Sequence, residues 1–197
     1  MSDAAIAEWQ GGWWRDARRV PSPNFRARPE VARLDTVVLH SISLPPGEYG
    51  GDGIRRLFTN TLDWSAHPYY ETIRGLEVSA HFVVRRDGSV LQFVSIDERA
   101  WHAGRSSWED REAANDWSVG IELEGLEGDT FEPAQYVALE RLLPAIDAIR
   151  GIRHVVGHEH VAPDRKIDPG PGFDWAALAA RLHWDAARIP PAKPRQG

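Results

Sequence analysis

Thr36-Val37-Val38-Leu39-His40 is a short run of β-branched and apolar residues that closes on a histidine. Such a run reads as a strand buried on both faces. Two further stretches read the same way: Ser118-Val119-Gly120-Ile121-Glu122-Leu123 and His154-Val155-Val156-Gly157. Between the first two, His81 to Arg86, then Asp87-Gly88, then Ser89 to Val94 carries the signature of a hairpin. Asp-Gly fits the positive φ angles of a tight type I′ turn. After Pro133, Leu139, Leu142, Leu143, Ile146 and Ile149 recur at helical spacing. Pro133 suits a first helical turn, and Pro144 inside the pattern is expected to kink or split the helix. Asp52 is placed to cap a short helix through Ile54, Leu57 and Phe58, and Asp174 a last helix through Leu178 and Leu182. Strands and helices interleave, with at least one hairpin. The expected fold is a single α/β domain with a central mixed β-sheet flanked by helices.

The length of 197 residues fits one domain with a substantial core. Residues 1–30 are expected to form an irregular segment packed on the domain, since Pro21, Pro23 and Pro29 exclude a long helix there. The domain proper is placed at 31–186, with a Pro-rich polar tail at 187–197. A net charge of −6 argues against a broad nucleic-acid-binding surface. The absence of cysteine excludes disulfides and any thiolate zinc site. The opening MSDAAIAEWQGGWWRD carries acidic residues and no apolar stretch of signal-peptide length, and no apolar run is long enough to span a bilayer. A cytoplasmic protein without a membrane partner is the expectation. Nothing reads out the oligomeric state, and a monomer is the default.

The chemistry concentrates in His154-Val-Val-Gly-His158-Glu-His160-Val-Ala-Pro-Asp164-Arg-Lys166-Ile-Asp168-Pro-Gly-Pro-Gly. Site residues are commonly displayed on a rigid loop at a strand end. His154 and His158 are four apart, as in helical zinc proteases, but that motif requires glutamate where Val155 stands. His40 with His158 and Asp168 supplies two imidazoles and a carboxylate. Zinc held by three such ligands keeps a fourth position open for water, as hydrolysis requires. Asp168 is ten residues past His158, so the loop must fold back, and the Pro-Gly run suits that shape. The residues alone support a histidine/carboxylate metal hydrolase and leave open which clustered histidine binds. Glu122 lies on a buried strand, where an unpaired carboxylate has little structural reason to exist, and Glu124 shares its parity. Among nine tryptophans, Trp101 in Trp101-His102-Ala103-Gly104 reads as a wall for a sugar ring, with His102 as a hydrogen-bond donor. Arg105 and Arg111 are candidates to meet peptide carboxylates.

Seven segments together resemble one family. They are ARRVPSPNF (17–25), VVLHSISLPPGEYGG (37–51), AHP (66–68), SAHFVVRRDGSVLQFV (79–94), RAWHAGRSSW (99–108), NDWSVGIELEG (115–125) and GHEHVAPDRKIDPGPGFDW (157–175). In order and extent the chain resembles the AmpD-type N-acetylmuramyl-L-alanine amidases, within the wider amidase and peptidoglycan-recognition superfamily. The resemblance implies Zn2+ held by His40, His158 and Asp168. It implies Glu122 as acid/base and Lys166, two residues before the third ligand, as oxyanion stabiliser. His154 and His160 are left as supporting or structural residues. The implied substrate is a muropeptide, cleaved at the lactyl–L-alanine amide of (1,6-anhydro-)N-acetylmuramyl peptides in peptidoglycan recycling. Ser41 and His160 stand where the family commonly has Asn and Asp, and Glu77 and Ala113 where relatives can carry arginine. An inactive muropeptide-binding protein and a less selective wall amidase are the alternatives. The Gly/Pro-rich loop from Ser41 to Gly53 is a candidate gate.

Overall fold

The computed structural model describes residues 7–30 and 32–189. Its centre is a six-stranded mixed sheet. In chain order the strands are β1 (Arg18–Arg19), β2 (Thr36–Ile42), β3 (Phe82–Val84), β4 (Val90–Gln92), β5 (Ser118–Glu124) and β6 (His154–Gly157). Across the sheet they run β6-β2-β5-β3-β4-β1. The first four are mutually parallel, β4 turns back antiparallel to β3, and β1 lies parallel to β4. The principal helices are α1 (Gly53–Phe58), α2 (Pro68–Thr72), α3 (Pro133–Arg150) and α4 (Trp175–Leu182). The expected α/β domain with a mixed sheet and flanking helices is what forms. Among the described residues no helix is long and apolar enough to cross a membrane.

Alternation along the strands divides the sheet into two faces. Val37, Leu39, Val119, Ile121, Leu123 and Val155 enter the main core against α3 and α4. The opposite face carries two smaller clusters. One holds Val38 and Val156 with Trp117 and Val161; the other holds Val83 and Leu91 with Leu57 and Phe58. His40, Gly120 and Glu122 have the parity of this second face. Register sets Glu122 beside His40 and Gly157 beside Leu39. His158, the next residue, therefore emerges at the level of His40, at the carboxyl ends of parallel strands where open α/β sheets bind ligands.

Four local expectations are corrected. Helix α3 runs unbroken through Pro144. Pro144 and Glu140, the residue whose carbonyl loses its donor, are both exposed, so the break in the hydrogen-bond ladder lies on the solvent side of the helix. The hairpin turn is not type I′: Arg85 N donates to Ser89 O and Gly88 N to Arg85 O, and of the loop only Gly88 has positive φ, at +82°. That is a three-residue loop with glycine at the left-handed position. Asp52 stands at the N-cap of α1, but its carboxylate pairs with Arg55 at 2.7 and 2.9 Å instead of capping. The N-terminal segment is not irregular throughout: Trp9–Gln10 pairs with Trp13–Trp14, β1 joins the sheet, and Phe25–Ala27 pairs with Glu98–Ala100. Proline forbids helix but not an edge strand, and pairs this short leave no alternating pattern to read. By contrast, Asp174 caps α4 through Ala177 N at 2.8 Å, as expected. The expected tail lies outside the described residues from 190 onward, and Ile189 is buried.

Arg28 fastens the N-terminal segment beneath β5. Its guanidinium donates to the carbonyls of Ser118 and Asp116 at 2.9 Å, Asn115 at 3.1 Å and Ile96 at 3.2 Å. Beside it, the fully buried His81 accepts from Gly120 N through Nδ1 at 2.9 Å and lies 3.0 Å from Glu98 O through Nε2. Burial, and then the Arg28 charge, lower the His81 pKa to about 3. The unfolded chain, with an ordinary histidine near 6.5, therefore binds a proton that the folded chain refuses. This contribution is complete above pH about 6.5 and is lost as pH falls from there towards 3. In metal-free protein the urea midpoint is expected to drop steadily from pH 6.5 to 4. His81→Asn, which keeps an acceptor for Gly120, is expected to show a shallower drop; an identical slope overturns this account.

Candidate active site

The ends of β2 and β6 and the returning loop after β6 bring His40, His158 and Asp168 into one buried group. His40 Nδ1 and His158 Nδ1 are 2.9 Å apart, and Asp168 Oδ2 is 3.1 Å from each. All three residues are 5% exposed or less, so no bulk water screens these close polar contacts. The loop does fold back: a single helical turn, His158–Val161, reverses the chain, and Glu159 N donates to Asp168 O at 2.8 Å. Each histidine uses its other nitrogen elsewhere. His158 Nε2 lies 3.0 Å from Ala103 O, and His40 Nε2 lies 3.0 Å from His102 Nδ1. A carbonyl can only accept, so His158 carries its proton on Nε2 and turns a bare Nδ1 to the group. Two imidazole nitrogens and a carboxylate oxygen in this arrangement can hold a metal ion.

The electrostatics follow from burial. Desolvation lowers the His40 pKa to about 4, against the opposing pull of Asp168. Burial pushes Asp168 upward, but the adjoining imidazoles of His158 and His40 outweigh it and hold the carboxyl well below the usual range. Glu122, one strand from His40, is pushed well above the carboxylate range by burial and then by Asp168, while Lys166 pulls it down. Its Oε2 is buried with no hydrogen-bond partner among the described residues. Glu124, two residues on, accepts from Gly50 N at 2.7 Å and Arg86 N at 3.2 Å, with Arg85 at 3.7 Å. It ties loop 41–53 to the sheet. Tyr49 OH to Asp129 at 2.7 Å and Arg85 to Gly51 O at 2.8 Å tether the same loop.

A cavity of about 240 Å³ opens over the group, and His40, Glu122, His158, Lys166, Asp168, Trp101 and His102 all line it. Seven of the nine site residues singled out in the sequence thus converge. Arg105 does not: it is exposed and lines a separate cavity with Ala113 and Asp164. Arg111 is also elsewhere, bound to Asp35 at 2.9 Å and stacked over Trp117. His160 accepts from Gly157 N at 2.7 Å and packs edge-on to Trp108 and Trp175, which marks it as structural support. His154 stands at the far end of β6 against Trp108. Ser41 lines the cavity, whereas Glu77 is exposed outside its lining. The sequence reading missed the wall formed by Leu57, Phe58, Tyr69, Ile73, Leu76 and Val78. Only Leu57 and Phe58 carried a signal, as an apolar helix face; α2 and the loop after it have no periodic pattern.

A family model described as N-acetylmuramoyl-L-alanine amidase matches residues 30–171. The 1,6-anhydro-N-acetylmuramyl-L-alanine amidase AmpD of Escherichia coli strain K12 is 51% identical over 167 residues, covering 84% of this chain and 91% of the relative. A crystal structure of a selenomethionine AmpD derivative superposes with a TM-score of 0.85 at 48% identity, over 88% of this chain and 98% of that one. The amidase AmiD of E. coli, solved in complex with the substrate anhydro-N-acetylmuramic acid-L-Ala-D-gamma-Glu-L-Lys, matches with a TM-score of 0.55 at 31% identity, over 79% and 61%. The match spans both the strands that carry the buried group and the loop that completes it. The chain is an amide hydrolase and belongs to the N-acetylmuramoyl-L-alanine amidase family.

Proposed function

We propose that this chain is a zinc-dependent amidase that cleaves the bond between the lactyl group of N-acetylmuramic acid and L-alanine, with 1,6-anhydro-muramyl peptides preferred. The observation that carries the reading is the buried triangle of His40 Nδ1, His158 Nδ1 and Asp168 Oδ2, with a partnerless Glu122 oxygen one strand away. Donors bound at about 2.0–2.1 Å around one tetrahedral ion stand roughly 3.3 Å apart. The separations of 2.9 and 3.1 Å are close to that, and the N/O donor set suits zinc in a chain without cysteine. When bound, zinc supplies an acidified water and polarises the scissile carbonyl.

The remaining steps belong to the chain's own side chains. Glu122 takes the proton of the attacking water and delivers it to the leaving nitrogen of L-alanine. Burial keeps this carboxylate a stronger base than an exposed glutamate. The Lys166 ammonium stabilises the carbonyl oxygen as negative charge builds there. Trp101 offers an aromatic face to the sugar. Leu57, Phe58, Ile73, Leu76 and Val78 make the outer wall apolar. A 1,6-anhydro sugar suits such a wall, because ring closure removes two hydroxyls that would otherwise lose their water. The substrate named for the AmpD and AmiD relatives supports the same choice. That substrate class supports a role in recycling cell-wall fragments.

Three outcomes test this reading. Purified protein is expected to hold one zinc per chain and to release L-alanine-led peptide from anhydro-muropeptide, with activity abolished by chelation or by His158→Ala. Zinc-loaded protein that binds the muropeptide without turning it over overturns the assigned reaction. The kcat/KM for anhydro-muropeptides is expected to exceed that for ordinary muropeptides by on the order of ten- to a hundredfold; equal values overturn the anhydro preference alone.

Glu122→Gln is expected to lower kcat by about 10²–10⁴ with zinc content unchanged. Lys166→Met is expected to lower kcat by roughly 10²–10³. It should also move the acid limb of the pH profile upward, because the base must be ionised and the ammonium that lowers its pKa is gone. An unmoved or downward-shifted limb argues against Glu122 as the base.

A further inference from the structure

Behind His40 lies a second imidazole that the chemistry above does not use. His102 Nδ1 is 3.0 Å from His40 Nε2, and the two rings meet edge-on with centroids 5.1 Å apart. On its far side, His102 Nε2 reaches Ser118 Oγ at 3.4 Å. The Ser118 hydroxyl donates its proton to Ala114 O at 2.5 Å. With that proton committed, Ser118 Oγ faces His102 as an acceptor, so Nε2 of His102 carries the hydrogen. A neutral imidazole has only one N–H, so Nδ1 of His102 is an acceptor and takes the Nε2–H of His40. His40 Nδ1 is then left bare, and it is the nitrogen that faces His158 and Asp168. Proton positions are thus set in one direction, from the Ala114 carbonyl to the first ligand.

The surroundings are built for this ring. A Cβ at Gly120 would stand 2.4 Å from His102 Cγ, so β5 carries glycine where the imidazole lies against the strand. Asn115 Oδ1 accepts from both His102 N at 3.1 Å and Ala103 N at 2.8 Å, which fixes the backbone of the pair. Ala103, the very next residue, offers the carbonyl 3.0 Å from His158 Nε2. Two consecutive residues therefore hold the outer nitrogens of both histidine ligands. Although His102 borders the cavity, both of its ring nitrogens are engaged, leaving no polar atom to address a sugar.

We propose that His102 is a positioning residue that fixes the tautomer and ring orientation of His40, and that the His102–Ala103 segment sets both imidazole ligands for the metal instead of contacting substrate. The proposal rests on the zinc reading above. Hydrogen-bonded partners of metal-bound histidines typically change metal affinity by about 10–100-fold when removed.

The test is zinc affinity by chelator competition for wild type, His102→Phe and His102→Asn. Phenylalanine keeps a ring against Gly120 but accepts no hydrogen bond; asparagine places an acceptor near the position of Nδ1. The expectation is affinity weakened about 10–100-fold in His102→Phe and largely recovered in His102→Asn. KM for anhydro-muropeptide at saturating zinc should be unchanged in both, as should the melting temperature of metal-free His102→Asn. If His102→Phe does not fold, His102→Leu takes its place in the comparison. Unchanged zinc affinity with a raised KM makes His102 a substrate contact and overturns the proposal. Equal loss of affinity in both variants, with a lower metal-free melting temperature, makes it a packing residue and also overturns it. Wild-type protein that takes up no zinc removes the zinc reading itself, and this proposal with it.

Discussion

Two imidazole nitrogens 2.9 Å apart, with one carboxylate oxygen 3.1 Å from each, form the contact on which the rest of the structure depends. Polar groups brought this close away from water are costly unless they are paired by hydrogen bonds or a shared cation. The fold meets that constraint with rigid parts. Parallel strands fix the spacing of His158, His40 and Glu122 to neighbouring positions across the sheet, about 4.8 Å apart by backbone geometry. The chain leaving β6 turns once and returns Asp168 to the same point, held by Glu159 N. The main core lies on the opposite face of the sheet, under α3 and α4. The polar group and the main apolar core are thereby separated by one layer of backbone.

Much of this arrangement was legible in residue order. Val37-Val38-Leu39, Val119-Gly120-Ile121 and Val155-Val156 declare buried strands because no polar residue interrupts them. Helix α3 declares itself by period, and Asp174 by its position before an apolar run. The choice of His158 over its neighbours was not legible from the residues alone. It depends on where β6 stops: His154 begins the strand and His158 follows its end, so they lie roughly 13 Å apart along the chain. His160 sits on the same helical turn as His158, yet its Nδ1 is engaged by Gly157 N.

What stayed hidden shares a physical cause. Arg28, His102 and Asn115 act by hydrogen bonds to groups that the chain's order leaves far apart, and a single sequence carries no signal for such partners. Arg28 reaches carbonyls up to 90 residues away. The tolerance of Pro144 depends on which side of α3 faces water, which is a tertiary fact. The turn at Arg85–Ser89 depends on strand register, which Asp-Gly alone does not settle, since both a two-residue and a three-residue loop accept glycine.

Glu122 and Glu124 show why residue type under-determines role even where position is known. They have the same side chain, the same strand, the same parity and nearly the same burial, 8% and 2% exposed. Glu124 is met by two backbone N–H groups and lies near Arg85. It serves as a fixed acceptor that anchors loop 41–53. Glu122 instead opens onto the cavity with an oxygen that has no partner among the described residues, beside the negative charge of Asp168. A carboxylate so placed gains by taking up a proton, and a nearby ammonium, Lys166, limits how strongly it holds one. The difference between an anchoring carboxylate and one left open to the cavity is therefore made by neighbours contributed from other segments. Gly50 and Arg86 supply donors to one, while the loop that carries Lys166 and Asp168 supplies only charge to the other.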